Sequence, residues 1–167
     1  MAGASSFDVS TGADLQEVDN AVNQARKEIA QRYDFKGTHV TIEFDRDKAE
    51  IRLAADDDFR MKQVLEVLTQ KCARRGVPLR NLETGAFEPA AGTSVRCTVT
   101  LTQGIPQETA KQIQKAIKDG GFKKVQVAIQ GEELRVTSPS KDELQAVIAF
   151  LKSRDFGLEL KFGNYRG

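Results

Sequence analysis

Residues 39–68 read HVTIEFDRDKAEIRLAADDDFRMKQVLEVL, and residues 124–151 read KVQVAIQGEELRVTSPSKDELQAVIAFL. The two stretches carry one pattern. In the first, Val40, Ile42 and Phe44 alternate with polar residues, and Ile51 and Leu53 resume the alternation after Asp45-Arg46-Asp47-Lys48. In the second, Val125, Val127 and Ile129 are followed across Gln130-Gly131-Glu132-Glu133 by Leu134 and Val136. A period of two marks strands with one buried face, and a short polar link between such strands predicts a hairpin. Each hairpin runs into a helix start: Asp56-Asp57-Asp58 in one copy, Ser138-Pro139-Ser140 in the other. The three consecutive carboxylates read as a cap and as partners of the helix dipole, not as a divalent-cation site.

Working outward, each copy gains a helix before its hairpin. Leu15, Val18, Val22, Ala25 and Ile29 line one face of residues 14–32. Ala110, Ile113, Ala116 and Ile117 do the same over residues 106–119, with Pro106 in the first turn. A strand precedes each helix, from Phe7 to Ser10 and from Val95 to Leu101. A closing strand is expected at 82–88 in the first copy and at Leu158, Leu160 and Phe162 in the second. Each half therefore reads βαββαβ, and the chain is expected to be an α+β duplication of two ferredoxin-like units joined through FEPAAGTS, residues 87–94.

The 167 residues, 40% hydrophobic and 29% charged, suit one ordinary domain or two small ones. No apolar run approaches the ~20 residues that span a bilayer, and the opening residues lack the pattern of a secretory signal, so a cytoplasmic protein with no membrane partner is expected. Cys72 and Cys97 fall at core positions and read as small hydrophobes. His39 is the single histidine, which makes a transition-metal site unexpected. Residues 1–92 carry 13 Lys and Arg against 16 Asp and Glu, while residues 93–167 carry 12 against 8. The basic bias of the second half tolerates an anionic ligand but falls short of a dedicated duplex binder.

The exposed strand positions include Thr41, Glu43, Glu50, Arg52, Arg96, Gln126, Ala128, Gln130, Glu133, Arg135, Glu159 and Lys161, and none is aromatic. A sheet face that stacks RNA bases needs aromatics there, so that mode of binding is not expected. Lys111, Lys115 and Lys118 form a helical stripe that reads as a solvated face or as a phosphate track, with Lys123 and Lys124 following it. The phosphate-binding and nucleophile motifs G-x-x-x-x-G-K-[ST], G-x-G-x-x-G and G-x-S-x-G do not occur. Neither an enzyme nor a cofactor is expected.

The segment Tyr33-Asp34-Phe35-Lys36-Gly37 has two readings. In one it is a helix exit, with Gly37 at positive φ and Phe35 buried. In the other, Phe35 or Tyr33 stacks on a base and Lys36 meets a phosphate. The tail residues Lys161, Asn164, Tyr165 and Arg166 offer a similar mix of aromatic, amide and cation.

SFDV (6–9), YDFKGTHVTIEF (33–44), the run LTQGIPQETAKQIQKAIKDGGFKKVQVAIQGEELRVTS (101–138), KDELQAVIAFLKSRDFGLELKF (141–162) and GNYR (163–166) together resemble the bacterial YajQ family. The likeness departs at Met1-Ala2-Gly3-Ala4-Ser5, where a proline usually precedes Ser-Phe-Asp, and at Thr102, where lysine is common. The resemblance implies exchanged first strands. The first domain would span residues 11–92 plus the strand within 93–102, and the second 103–167 plus the N-terminal strand 5–10. It also implies a non-enzymatic nucleotide binder whose ligand is cyclic di-GMP, a GTP-like nucleotide or tRNA and other RNA, acting in some members with a transcription-factor partner. Candidate contacts are Tyr33, Phe35, Lys36, Lys123, Lys124, Arg135, Lys161, Tyr165 and Arg166, reached through loops, tail and the groove between domains. The alternative is a protein-interaction adaptor with incidental nucleotide binding. Oligomeric state is left open.

Overall fold

The computed structural model describes residues 4–167, so the departure at Met1-Ala2-Gly3 lies outside the described residues. Its strands are β1 (Ser5–Ser10), β2 (Thr41–Asp45), β3 (Glu50–Ala55), β4 (Leu82–Thr84), β5 (Glu88–Pro89), β6 (Val95–Leu101), β7 (Gln126–Gln130), β8 (Glu133–Ser138) and β9 (Lys161–Arg166). Its helices are α1 (Leu15–Gln31), α2 (Asp58–Arg74), α3 (Gln107–Asp119) and α4 (Lys141–Lys152). Two compact units result. One runs from Ala13 to Thr102; the other combines the N-terminal segment through Gly12 with Gln103–Gly167.

In the second of these units the sheet order is β7-β8-β1-β9, and in the first it is β2-β3-β6-β4, with β5 also on β6. All pairings are antiparallel. The two orders are one order. In each unit the third place belongs to the strand that opens the other copy of the duplication. Phe7 pairs with Val136 and Val9 with Leu134, while Val99 pairs with Ile51 and Cys97 with Leu53. The two ferredoxin-like halves are thus present, with their first strands exchanged.

Local chemistry explains the helices. Asp14 accepts a hydrogen bond from the Gln16 amide at 2.9 Å, Asp57 from Arg60 at 2.7 Å and Ser140 from Glu143 at 3.3 Å, and each is the N-cap of its helix. Of the three-carboxylate run, Asp57 is the cap, and Asp56 accepts from the His39 amide at 3.0 Å. Among the described residues no cluster of His, Cys, Asp or Glu is arranged to hold a metal ion. No described helix is long and apolar enough to cross a membrane.

Each unit has its own core. Val18, Val22, Ala25, Met61, Val64, Leu68 and Cys72 from α1 and α2 cover Ile51, Leu53, Cys97 and Val99. Ile113, Ile117, Leu144, Val147 and Leu151 from α3 and α4 cover Phe7, Val9, Leu134 and Val136. Both cysteines are free and buried, and burial pushes the Cys72 thiol up to about 11.

The expected closing strands differ in detail. Residues 82–88 fall into two short strands on β6 because the chain takes four steps from Thr84 to Glu88 while β6 takes three from Val99 to Arg96, a slip that lies beyond Gly85. The Gly85 amide donates to the Thr98 carbonyl at 2.9 Å, and a Cβ at this position would meet that same oxygen at 2.9 Å. The last strand begins at Lys161, later than the apolar run suggested. Leu158 is buried just ahead of it, and the Thr11 hydroxyl donates to the Glu159 carbonyl at 2.6 Å.

On the face away from the helices, Asp8 ties three strands together. Arg135 of β8 donates to its carboxylate at 2.9 and 3.4 Å, and Asn164 of β9 donates to it from the other side. The Arg135 hydrogen bonds hold the Asp8 carboxyl below the usual carboxylate range, with Asn164 adding to the effect and burial opposing it.

Two outcomes follow. Phe7→Ala should destabilise the protein by about 3–5 kcal/mol. Hydrogen exchange should place the lost protection within Gln103–Gly167, nearly a hundred residues downstream; loss confined to Ala13–Thr102 would contradict the pairing. Because the folded pKa of Asp8 is depressed, its contribution is present above the unfolded value of about 3.9 and is lost as the pH falls toward the folded value. Asp8→Asn should therefore lower stability by roughly 1.5–3 kcal/mol at neutral pH. In urea titrations run at successive pH values, that deficit should shrink only in the acid range below the unfolded value.

Candidate functional site

Strand β9 is irregular, and the irregularity builds a pocket. Strict alternation would send Phe162 and Tyr165 to opposite faces. Between the pairs Asp8–Gly163 and Ser6–Arg166, however, β9 contains one more residue than β1. Asn164 absorbs the extra residue in the left-handed region, at φ +53°, and Asp8 anchors its amide. A bulge of this kind re-aims the side chains beyond it. Tyr165 consequently returns to the helical side, where its ring lies 6.4 Å from that of Phe7, and Phe162 contacts Phe7 edge-on at 6.1 Å.

A cavity of about 220 Å³ opens here between the end of β1, the tail strand and the outer side of α4. Phe7, Leu144 and Ile148 supply its apolar lining, and Tyr165 and Lys141 add an aromatic and a cation; Arg166 borders the cavity, but its pairing with Ser6 turns its side chain toward the face that carries Asp8. Tyr165 is 62% exposed, a large aromatic surface left open to solvent. A pocket of this size holds a single flat ring system but not a whole drug-sized molecule. Lys141, at the start of α4, offers a cation to a charged extension of such a ring.

The remaining sequence-derived residues are placed elsewhere or occupied. Arg135 is committed to Asp8. Lys161 is exposed at the start of β9, opposite Ser10. Lys123 and Lys124 precede β7, on the other edge of the same sheet, three strand spacings or about 14 Å from the tail strand. In the Ala13–Thr102 unit Phe35 is 4% exposed and belongs to the core. Its ring is therefore no open stacking platform, because a three-residue helical turn, Tyr33–Phe35, tucks it inward while Gly37 at φ +80° releases the chain. Tyr33, at 86% exposure, is the aromatic this segment presents, and the Lys36 ammonium lies 5.8 Å from its ring centre. Beside it the Arg32 guanidinium is bound to Asp34 at 2.7 Å, which lowers the Asp34 carboxyl and raises Arg32.

Tyr165 thus lines the pocket and Arg166 borders it, whereas Lys141 and Gln145 of the same pocket escaped sequence reasoning. Lys141 reads simply as the first residue of α4, and only the pairing of β1 with β9 shows that the tail lies beside it.

A family profile described as nucleotide-binding protein YajQ-like matches residues 5–166. The chain is 50% identical to a nucleotide-binding protein of Carboxydothermus hydrogenoformans, over 99% of this chain and 100% of that one. It is 51% identical to one of Magnetococcus marinus, over 96% and 98%, and 45% identical to one of Chloroherpeton thalassium, over 99% and 100%. A match that runs nearly end to end, with the doubled sheet and its traded strands behind it, establishes that the chain belongs to the YajQ-like family.

Proposed function

We propose that this protein binds a nucleotide in the pocket between β1, β9 and α4. The base lies against Tyr165 over the apolar floor of Phe7, Leu144 and Ile148, and the phosphate meets Lys141. The observation that carries the reading is the coincidence, in one small cavity, of an exposed aromatic with a lysine on its wall. The names of the relatives supply the ligand class. Micromolar affinity requires about −8 kcal/mol in all. Stacking on an aromatic contributes roughly 1–3 kcal/mol per base, and charge-assisted phosphate contacts add to it. Apolar burial on the pocket floor supplies the rest.

The cavity accommodates one base. The ligand is then a mononucleotide unit, either free as a GTP-like nucleotide or forming part of cyclic di-GMP or of an RNA such as tRNA. Preference for cyclic di-GMP would make the protein a signalling effector, for which a transcription-factor partner is the natural output. Preference for tRNA would make it an RNA binder.

Calorimetric titration with GTP, cyclic di-GMP and tRNA distinguishes these. At least one should bind in the micromolar range, Tyr165→Ala should weaken that binding roughly tenfold or more, and Tyr165→Phe should preserve it. Lys141→Ala should weaken it and flatten its salt dependence. Absence of heat with all three ligands at tens of micromolar protein would defeat the proposal, as would full affinity in Tyr165→Ala.

A further inference from the structure

The free edges of the two sheets are not equally protected. An exposed edge strand presents unpaired amides and carbonyls to any other strand, and charges, bulges or shortness normally blunt it. Strand β2 carries two carboxylates, Glu43 and Asp45. Strand β4 has three residues, and β9 carries charges and a bulge. Strand β7, Gln126-Val127-Ala128-Ile129-Gln130, has five residues with no charge, no proline and no break in its pairing with β8.

Its unpaired groups can be assigned. Gly131 at φ +62° opens a two-residue turn, which makes Gln130 and Glu133 a hydrogen-bonded pair. Alternation along the ladder then directs the backbone groups of Gln126, Ala128 and Gln130 toward β8, and those of Val127 and Ile129 toward the open side. The Gln114 amide, which donates to the Val127 carbonyl at 3.0 Å, shows that this carbonyl is not consumed by the sheet. Its second lone pair remains available.

The strand is also its own complement. Turned antiparallel about Ala128, the sequence sets Gln126 against Gln130, Val127 against Ile129 and Ala128 against itself. The residues that exchange hydrogen bonds in this register are Val127 and Ile129, the two whose groups face outward. The same two-fold turn brings Lys123 and Lys124 of one copy to the end at which Glu132 and Glu133 of the other leave the strand. On the helical side, Ile117, Phe122, Val125 and Val127 line a groove of about 360 Å³ along this edge, which a second copy's Ile129 would help to cover.

We infer that β7 is a self-association edge. Two copies of the chain pair antiparallel through β7 about a two-fold axis at Ala128, joining their four-stranded sheets into one of eight strands. An isologous pairing of this kind closes on itself and does not propagate into fibres.

Sedimentation equilibrium over a wide concentration range tests this without any nucleotide. The wild-type chain should show a monomer–dimer equilibrium. Ala128→Glu lies opposite Arg135 within its own sheet, so it suits the monomer, but it sets like charges face to face across the axis. It should weaken the dimer by at least roughly tenfold, and mixing it with Ala128→Lys should restore association. Thermal unfolding should show both variants folded. Should either not fold, the exposed double change Lys123→Glu with Lys124→Glu provides the same test by removing the attraction to Glu132 and Glu133. A wild-type chain that remains monomeric at millimolar concentration, an Ala128→Glu chain that dimerises undiminished, or a mixture that fails to recover would each overturn the inference.

Discussion

The pairing of β1 between β8 and β9 is the constraint on which the rest of the molecule depends. Phe7 and Val9 are wholly buried beneath α3 and α4, and burying each side chain contributes roughly 1.5–3 kcal/mol. Remove this strand and β8 loses its inner neighbour, β9 has nothing to pair with, and the second core is open. The other unit depends in the same way on β6, whose Val95, Cys97, Val99 and Leu101 complete the first core. The duplication is therefore not a tandem of independent modules, since each copy lacks the central strand that the other supplies.

The same strand positions the candidate site. Asp8 faces away from Phe7 and Val9, and its carboxylate holds Arg135 on one side and Asn164 on the other. Anchoring Asn164 stabilises a left-handed residue that costs a non-glycine side chain about 1–3 kcal/mol unless its surroundings fix it. That conformation aims Tyr165 at the pocket. An ion pair on one face of the sheet thus sets the aromatic on the other, and the binding surface inherits its geometry from the fold.

Much of this was legible in the amino acids. Period-two runs at 40–44 and 125–129, caps at Asp57 and Ser140, and helical stripes on four segments fix the elements and the doubled ferredoxin-like order. Alternation tells which face of a strand is buried but not which strand lies beside it, so the exchange came from family likeness and not from the pattern. The same limitation hid the pocket. Counting by twos from Phe162 places Tyr165 on the open face, and only the bulge reverses that reading. Phe35 shows the complementary ambiguity: an aromatic next to a lysine and a glycine resembles a ligand loop until packing shows it to be core.

Ala13–Thr102 is continuous along the chain, whereas the other unit is assembled from the sequence on both sides of it. Synthesis runs from the N-terminus, and domains generally fold as units while it proceeds. The middle unit has all its strands once Leu101 has left the ribosome. Strand β1, the earliest to emerge, has no mate until Glu133–Ser138 appears. For most of translation it is an unclaimed sticky end, and two serines before them and one after are all that separate Phe7, Asp8 and Val9 from misplaced company.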